Sequence, residues 1–269
     1  MREIGPHAMP TSLSGPAAGA VEWPDAARHA AFGAWLSPLM SAHGLDPATL
    51  APASADASFR RYLRIQGRQG SFIVMDAPPP QEDVRPFVAV ASRIAAAGLH
   101  APRVIAADES HGFLLLSDLG TRLYLDALRD AGAPQADRLM AQAIAALVQW
   151  QARVDAHGLP AYDDALLRRE LALFPDWCAQ REFGQTWSDA QRADWQRICD
   201  LLVASALAQP QVAVHRDWMP RNLMVSEPNP GILDFQDAVR GPVTYDVASL
   251  LRDAFLSWDE ERELDWAVR

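Results

Sequence analysis

Asp217, Asn222 and Asp234 are the residues whose types and spacing could do chemistry. The first two lie in His215-Arg216-Asp217-Trp218-Met219-Pro220-Arg221-Asn222, and the third in Ile232-Leu233-Asp234-Phe235. A carboxylate of ordinary pKa, about 4, is ionised at pH 7 and can accept the proton of an attacking hydroxyl, which is the role open to Asp217. Asn222 offers a neutral carbonyl oxygen to a hard cation without placing a second negative charge beside Asp217. Asp234 supplies the charged oxygen ligand, and Asp and Asn oxygens together with phosphates suit Mg²⁺. Phosphoryl transfer from Mg·ATP asks for that set: positioning, charge neutralisation and a proton acceptor. The bland alternative is that Asp217 and Asn222 only cap a loop.

The elements around these residues must bring them together. Val212-Ala213-Val214 and Leu223-Met224-Val225 read as short strands. Gly231 to Phe235 reads as a third, entered through a Ser226-Glu227-Pro228-Asn229-Pro230 turn. A hairpin of the last two presents Asn222 and Asp234 near one point.

The pattern resembles the catalytic loop and metal segment of the kinase-like superfamily, and more closely its aminoglycoside/choline phosphotransferase branch. Gly241 to Leu251 looks like the segment that follows the metal Asp in that branch, and Gly112 to Gly120 looks like the strand and hinge between lobes. Asp56-Ala57-Ser58-Phe59-Arg60-Arg61-Tyr62, Val74-Met75-Asp76-Ala77-Pro78-Pro79 and Leu233 to Ala238 resemble bacterial kinases of the anomeric hydroxyl of N-acetylmuramate and N-acetylglucosamine. The resemblance covers about residues 25 to 269. It implies ATP and Mg²⁺ as cofactors, with a small sugar as acceptor. It also implies that adenine meets the backbone of Ser117 to Leu119 beside Leu116. Asp246 resembles a residue that braces the catalytic loop, and His215 is expected to pack or bond backbone rather than act as a base. Gln236, Asp237 and Arg240 follow the metal Asp within reach of an acceptor. Arg240 could pair with a lactate carboxylate. Trp218 is either a sugar-stacking platform or a core anchor.

One absence bears on this chemistry. The chain has no lysine; all 24 basic residues are arginine. That excludes a G-x-x-x-x-G-K-[ST] phosphate loop, and also the third-strand lysine that contacts phosphates in kinase-like enzymes. Ser54 to Ser58 has no glycine, but its amides and the Ser58 hydroxyl could donate to phosphate. Arg61 and Arg64 are the candidate cations, on opposite faces of one strand. Arg61 shares its face with Phe59, Leu63 and Ile65 and is the preferred one, although Glu82 or Asp83 could equally hold it.

With 269 residues, 49% hydrophobic and 22% charged, the chain is large enough for a two-lobed enzyme. A formal charge of −10 argues against a nucleic-acid partner. Cys178 and Cys199 read as buried thiols of a reducing compartment. No apolar run has membrane-spanning length and no signal peptide is visible, so a cytoplasmic monomer is expected.

The expected fold is α+β: a disordered leader over 1–22, a nucleotide-binding lobe over 23–117 with a small mixed or antiparallel sheet, and a mainly helical lobe over 118–269. Helices are expected over Pro24–His43, Glu82–Ala97, Pro134–His157 and Asp164–Phe183, the last broken near Pro175. A capping box at Ser188 to Gln191 opens another, and Thr244 is expected to cap the helix after the metal loop. The chain ends at Arg269 in an amphipathic pattern (Leu264, Trp266, Val268), which reads as a C-terminal truncation. Competing readings are a kinase of another small hydroxyl compound, of the aminoglycoside or choline type, and a nucleotide-binding regulator without transfer activity.

Overall fold

A computed structural model describes residues 21–55 and 59–269. The fold is α+β, and it divides into two compact units. The expected leader falls mostly outside the described residues; Val21, within it, packs against the core of the first unit.

The first unit comprises residues up to 84 together with 104–118. Helix α1 (Ala26–His43) starts at Asp25, whose carboxylate accepts from the Arg28 N–H at 2.7 Å, and stops at Gly44, which takes the left-handed conformation with φ +63°. Strands β1 (Asp46–Ala55), β2 (Arg61–Gly67) and β3 (Gly70–Asp76) follow it. Beyond α2 (Arg85–Ala96), which belongs to the other unit, come β4 (Val104–Asp108) and β5 (Phe113–Ser117). The five strands form an antiparallel sheet in the order β1-β2-β3-β5-β4. β1 is a strand that the sequence analysis does not single out, and it contains Pro47 and Pro52. The structure places it at the sheet edge with two register irregularities, where proline is tolerated. Leu63, Ile65, Val74, Phe113 and Leu115 of one sheet face bury themselves against Phe32 and Leu36 of α1.

The second unit holds 85–103 and 119–269. Helix α2 was expected in the first lobe, but its apolar side finds partners here. Phe87 packs on Phe235 with ring centroids 4.6 Å apart, and Arg93 bonds the His157 carbonyl at 2.8 Å. Helices α3 (Tyr124–Arg129) and α4 (Ala133–Arg153) lead to α5 (Asp164–Leu171), a π-helical segment over Phe174–Glu182, and α6 (Asp189–Leu207). The break between α5 and the π segment lies just before Pro175. The Ser188/Gln191 capping box is formed in both directions, at 3.3 and 2.9 Å.

Strand β6 (Gln211–Val214) then pairs with β9 (Val239–Pro242), and β7 (Leu223–Met224) with β8 (Gly231–Ile232). Helices α7 (Tyr245–Leu251) and α8 (Glu260–Val268) follow. Thr244 is the N-cap residue of α7 as expected, but its side chain makes no capping bond: the hydroxyl donates to Gln209 at 2.8 Å instead. Cys199 is buried, whereas Cys178 is only half-buried. No helix among the described residues is long and apolar enough to cross a membrane.

Candidate active site

β6 delivers the chain into a sharply constrained loop. Val214 and His215 are fully buried, and Arg216 takes a left-handed backbone with φ 79°. A non-glycine residue holds that conformation only where its surroundings over-determine it. They do so here. Asp246, wholly buried on α7, accepts from the N–H groups of His215 and Arg216 at 2.8 and 3.0 Å. This is the bracing part expected of Asp246. Burial pushes its carboxyl up to about 7, although both N–H groups and their charge-favouring bonds pull the other way.

His215 packs edge-on against Trp218 and Trp150 and accepts the Asp217 N–H at 3.3 Å through Nδ1. Burial lowers its pKa to about 3, so it stays neutral and is not a general base at pH 7. Trp218 is 0% exposed, and its indole also packs on Trp150 at 5.9 Å. A ring enclosed on both faces has none left for a sugar. Of the two readings of Trp218, the core anchor is the one the structure carries.

Past Trp218 the loop closes on itself. The Met219 N–H donates to the Asp217 carbonyl at 2.9 Å, and the Asn222 N–H to the Met219 carbonyl at 2.8 Å. The β7–β8 hairpin then does the joining. Leu223 opposes Ile232, the Leu233 N–H donates to the Asn222 carbonyl at 2.9 Å, and Asp234 follows at once with φ 59°. The Asn222 side-chain amide donates to the Asp217 carbonyl at 3.0 Å and lies 3.4 Å from Asp234 Oδ2. The three residues singled out from the sequence therefore converge. Burial raises the Asp217 carboxyl above its ordinary range; the charge of Asp234 adds to this and that of Arg216 opposes it.

Gln236 and Asp237 belong to the same cluster. Gln236 Nε2 donates to Asp234 Oδ1 at 2.8 Å and to Asp237 Oδ2 at 3.3 Å. Gln236 Oε1 is buried with no partner among the described residues, an acceptor beside Asp234 that a bound group would satisfy. One amide oxygen, one carboxylate and this spare acceptor fit a hard cation that takes its remaining oxygens from phosphate and water. Among the described residues no three His, Cys, Asp or Glu side chains form a metal cage of their own. Arg240 lies on β9 opposite Ala213 with its side chain exposed, and the bonds that join 217, 222, 234 and 236 do not include it.

Glu170 on α5 is the residue the sequence hides. Its Oε1 accepts from Arg216 at 2.7 Å, and its Oε2 accepts from the hydroxyls of Tyr162 and, at 3.4 Å, Tyr245. No local pattern marks it, because its partner is 46 residues away.

The expected nucleotide residues are placed in turn. Leu116 and Ser117 end β5. Leu119 lies so close to Gly231 that a Cβ there would meet it at 2.7 Å. Ser58 is outside the described residues. Arg61 is not the unengaged cation that the sequence suggests, nor is it held by Glu82. It shares the α1-covered sheet face with Leu63 and Ile65. There it clasps Asp76, at 3.0 Å through Nε, together with the Glu22 carbonyl.

Residues 49–268 match a phosphotransferase enzyme family. The chain is 58% identical over 246 residues to an N-acetylmuramate/N-acetylglucosamine kinase of Pseudomonas aeruginosa, covering 88% of this chain and 72% of that protein. It is also 58% identical over 218 residues to the enzyme of that name in Pseudomonas putida, covering 81% of this chain and 63% of the relative. Among solved structures, the ADP-bound aminoglycoside phosphotransferase APH(2'')-Ib superposes with a TM-score of 0.64 at 12% identity, over 91% of this chain and 82% of that one. A choline/ethanolamine kinase family protein from Mesorhizobium loti gives 0.57 at 15% identity, over 89% and 74%.

Proposed function

The chain belongs to the phosphotransferase enzyme family, and we propose that it moves the γ-phosphate of ATP to the anomeric hydroxyl of N-acetylmuramate or N-acetylglucosamine. The observation that carries the catalytic part is the Asn222 amide, which lies 3.0 Å from the Asp217 carbonyl and 3.4 Å from the Asp234 carboxylate. That contact supports reading the three residues as a proton acceptor and two cation ligands. The 58% identity to two N-acetylmuramate/N-acetylglucosamine kinases supports the acceptor.

In this reading Asp217 aligns the sugar hydroxyl and takes its proton as the phosphoryl group arrives. Its raised pKa makes it a better acceptor than an exposed aspartate. Asn222 and Asp234 hold Mg²⁺, which when bound supplies charge neutralisation across the phosphates. Gln236 and Asp237 offer hydrogen bonds on the acceptor side, and Arg240 offers a charge for the lactate carboxylate of N-acetylmuramate. The base meets the backbone of residues 117–119 beside Leu116.

The test is ATP consumption over N-acetylmuramate, N-acetylglucosamine, choline and kanamycin, with mass spectrometry of each product. The expected result is one phosphate added to the amino sugars and loss of their reducing character, since the anomeric carbon is then blocked. Phosphorylated choline or kanamycin alone, or a sugar phosphate that still reduces, defeats the assignment. So does an Asp217→Ala variant that keeps full turnover, because loss of a general base costs on the order of 10²–10⁴-fold.

A further inference from the structure

A lysine-free chain must meet the charge of a nucleotide's polyphosphate with arginine or metal alone, and the sheet of the first unit sorts its arginines by face. Residues directly opposed across antiparallel strands share a face, and successive residues alternate. Arg61 opposes Asp76, and Asp76 opposes Phe113, on the side buried by α1. Asp76 is 1% exposed and also takes Arg28 of α1 at 3.0 Å. Arg28 in turn lies over the Phe113 ring at 4.0 Å, and Arg61 over Trp23 at 4.8 Å. That arrangement fastens the helix to the sheet.

The other face carries Tyr62 opposite Met75 and Leu114, and Arg64 opposite Ile73 and Leu116. Leu116 is the side chain proposed to flank the base. Arg64 marks the base end of this face, because it chelates Asp118 at 2.6 and 3.1 Å, next to Ser117. Arg60 marks the opposite end. It precedes β2, bonds the Tyr62 phenol on the same face, and donates through Nε to Glu82 at 2.9 Å. Four residues of strand separate Arg60 from Arg64, about 13 Å. That is the order of the span from the base of an extended nucleotide to its terminal phosphates. β3 itself places Ser71, Ile73 and Met75 on this face, so no cation comes from it.

We propose that Arg60, held by Glu82 and Tyr62, is the cation that receives the nucleotide's polyphosphate, and that Arg61 has no part in nucleotide binding. This rests on the reading that the base meets residues 117–119. A guanidinium has five N–H donors in a fixed planar fork. Glu82 takes the Nε edge and thereby fixes the plane in which the terminal nitrogens point. A carboxylate partner also keeps the cation from being a lone charge at a site where both side chains are largely enclosed, 15% and 13% exposed.

The experiment measures binding of ADP and of adenosine to the full chain by titration calorimetry, without turnover. The variants are Arg60→Ala, Arg60→Lys, Glu82→Gln and Arg61→Ala. Arg60→Ala is expected to weaken ADP by about 10- to 100-fold, the worth of a charge-assisted bond, while adenosine binds as before. Arg60→Lys should recover most of the affinity, and Glu82→Gln should lose part of it. Arg61→Ala should lower the melting temperature and leave ADP affinity unchanged. Unchanged ADP affinity in Arg60→Ala overturns the proposal, as does a selective loss of ADP in Arg61→Ala. Should Arg60→Ala fail to fold, Arg60→Lys and Glu82→Gln decide: wild-type ADP affinity in Glu82→Gln, or equal losses of ADP and adenosine in either, overturns it. A wild-type chain that binds neither ligand overturns the nucleotide reading itself, and this assignment with it.

Discussion

From Val214 to Phe235 the chain turns its large side chains inward: Val214, His215, Trp218, Leu223, Ile232 and Phe235 are all closed off from solvent. The α5–α6 arm of the same unit does the reverse. Phe174, Trp177, Phe183 and Leu201 stand in solvent, Leu201 at 71%, and α5 buries no residue at all. Packing on every side fixes the groups proposed to meet charge in the transition state, as electrostatic preorganisation requires. The arm meets this stretch through the Glu170 carboxylate, which bonds Arg216, and through Leu166 and Leu167 of α5, which pack on the Tyr162, Val214 and Val239 cluster. Close packing is concentrated around the candidate site, and among the described residues Glu170 is the arm's polar link to it.

The largest effect should come from the packed side. Trp218→Ala removes an indole enclosed by Trp150 and His215, and loss of a buried tryptophan costs about 3–5 kcal/mol. Urea unfolding measures it. A cost under about 1 kcal/mol would mean that the loop is not held by this stack, and the contrast with the arm would dissolve.

Asp246 sharpens the same side through pH. Its folded pKa, about 7, lies above the ordinary 3.8 because burial penalises the charge. The folded state therefore binds the proton more tightly, and the residue's contribution to stability falls as pH rises from about 4 to about 7. Asp246→Asn cannot ionise and loses one acceptor for the two N–H groups, at a cost of about 1–3 kcal/mol. Melting curves from pH 4 to 7.5 should show the wild type's advantage over this variant to be widest near pH 4 and to narrow by pH 7. A gap that widens with pH would contradict the sign.

Glu170→Gln probes the polar contact between arm and loop. It leaves Arg216 a neutral partner at the left-handed step before Asp217, so the expected loss is on the order of tenfold in kcat, about 1.4 kcal/mol. The KM for ATP should not move. Glu170→Asp keeps the charge and should recover part of the loss, whereas a change confined to the melting temperature would show that the carboxylate only supports the fold.

Much of this contrast can be read along the chain, but unevenly. Asp217, Asn222 and Asp234 are legible because a short hairpin joins them, and hairpin, turn and ligand all lie within a few residues of one another. The faces of β2 are legible too, since period two separates Arg61 from Arg64 in any strand. Which face the helix covers is not, so nothing along the chain shows that Arg61 clasps Asp76, 15 residues away. Strand β1 is obscured by prolines that only an edge position excuses. Trp218 looks the same in sequence whether it anchors a core or faces a sugar, and only its enclosure separates the two. Glu170 fails for the same reason, because nothing in Leu166 to Leu171 announces a bond to Arg216.

The smallest effect should come from the arm. Leu201→Gln keeps a good helix former of similar length on α6 and removes an apolar side chain that is already in water. Surface changes of that kind stay within about 0.5 kcal/mol. Val203, two positions on, is 3% exposed, and Val203→Ala in the same helix should cost about 2 kcal/mol by comparison with other large-to-small core changes. The pair forms an internal control in one helix: Leu201→Gln barely changes helix propensity and Val203→Ala improves it, so a larger cost at Val203 can come only from its burial. Measured by urea unfolding at one protein concentration, the two costs should separate clearly. Equal losses would mean that Leu201 is covered in solution by something that binds this face, and the arm would then be as tightly built as the loop beside it.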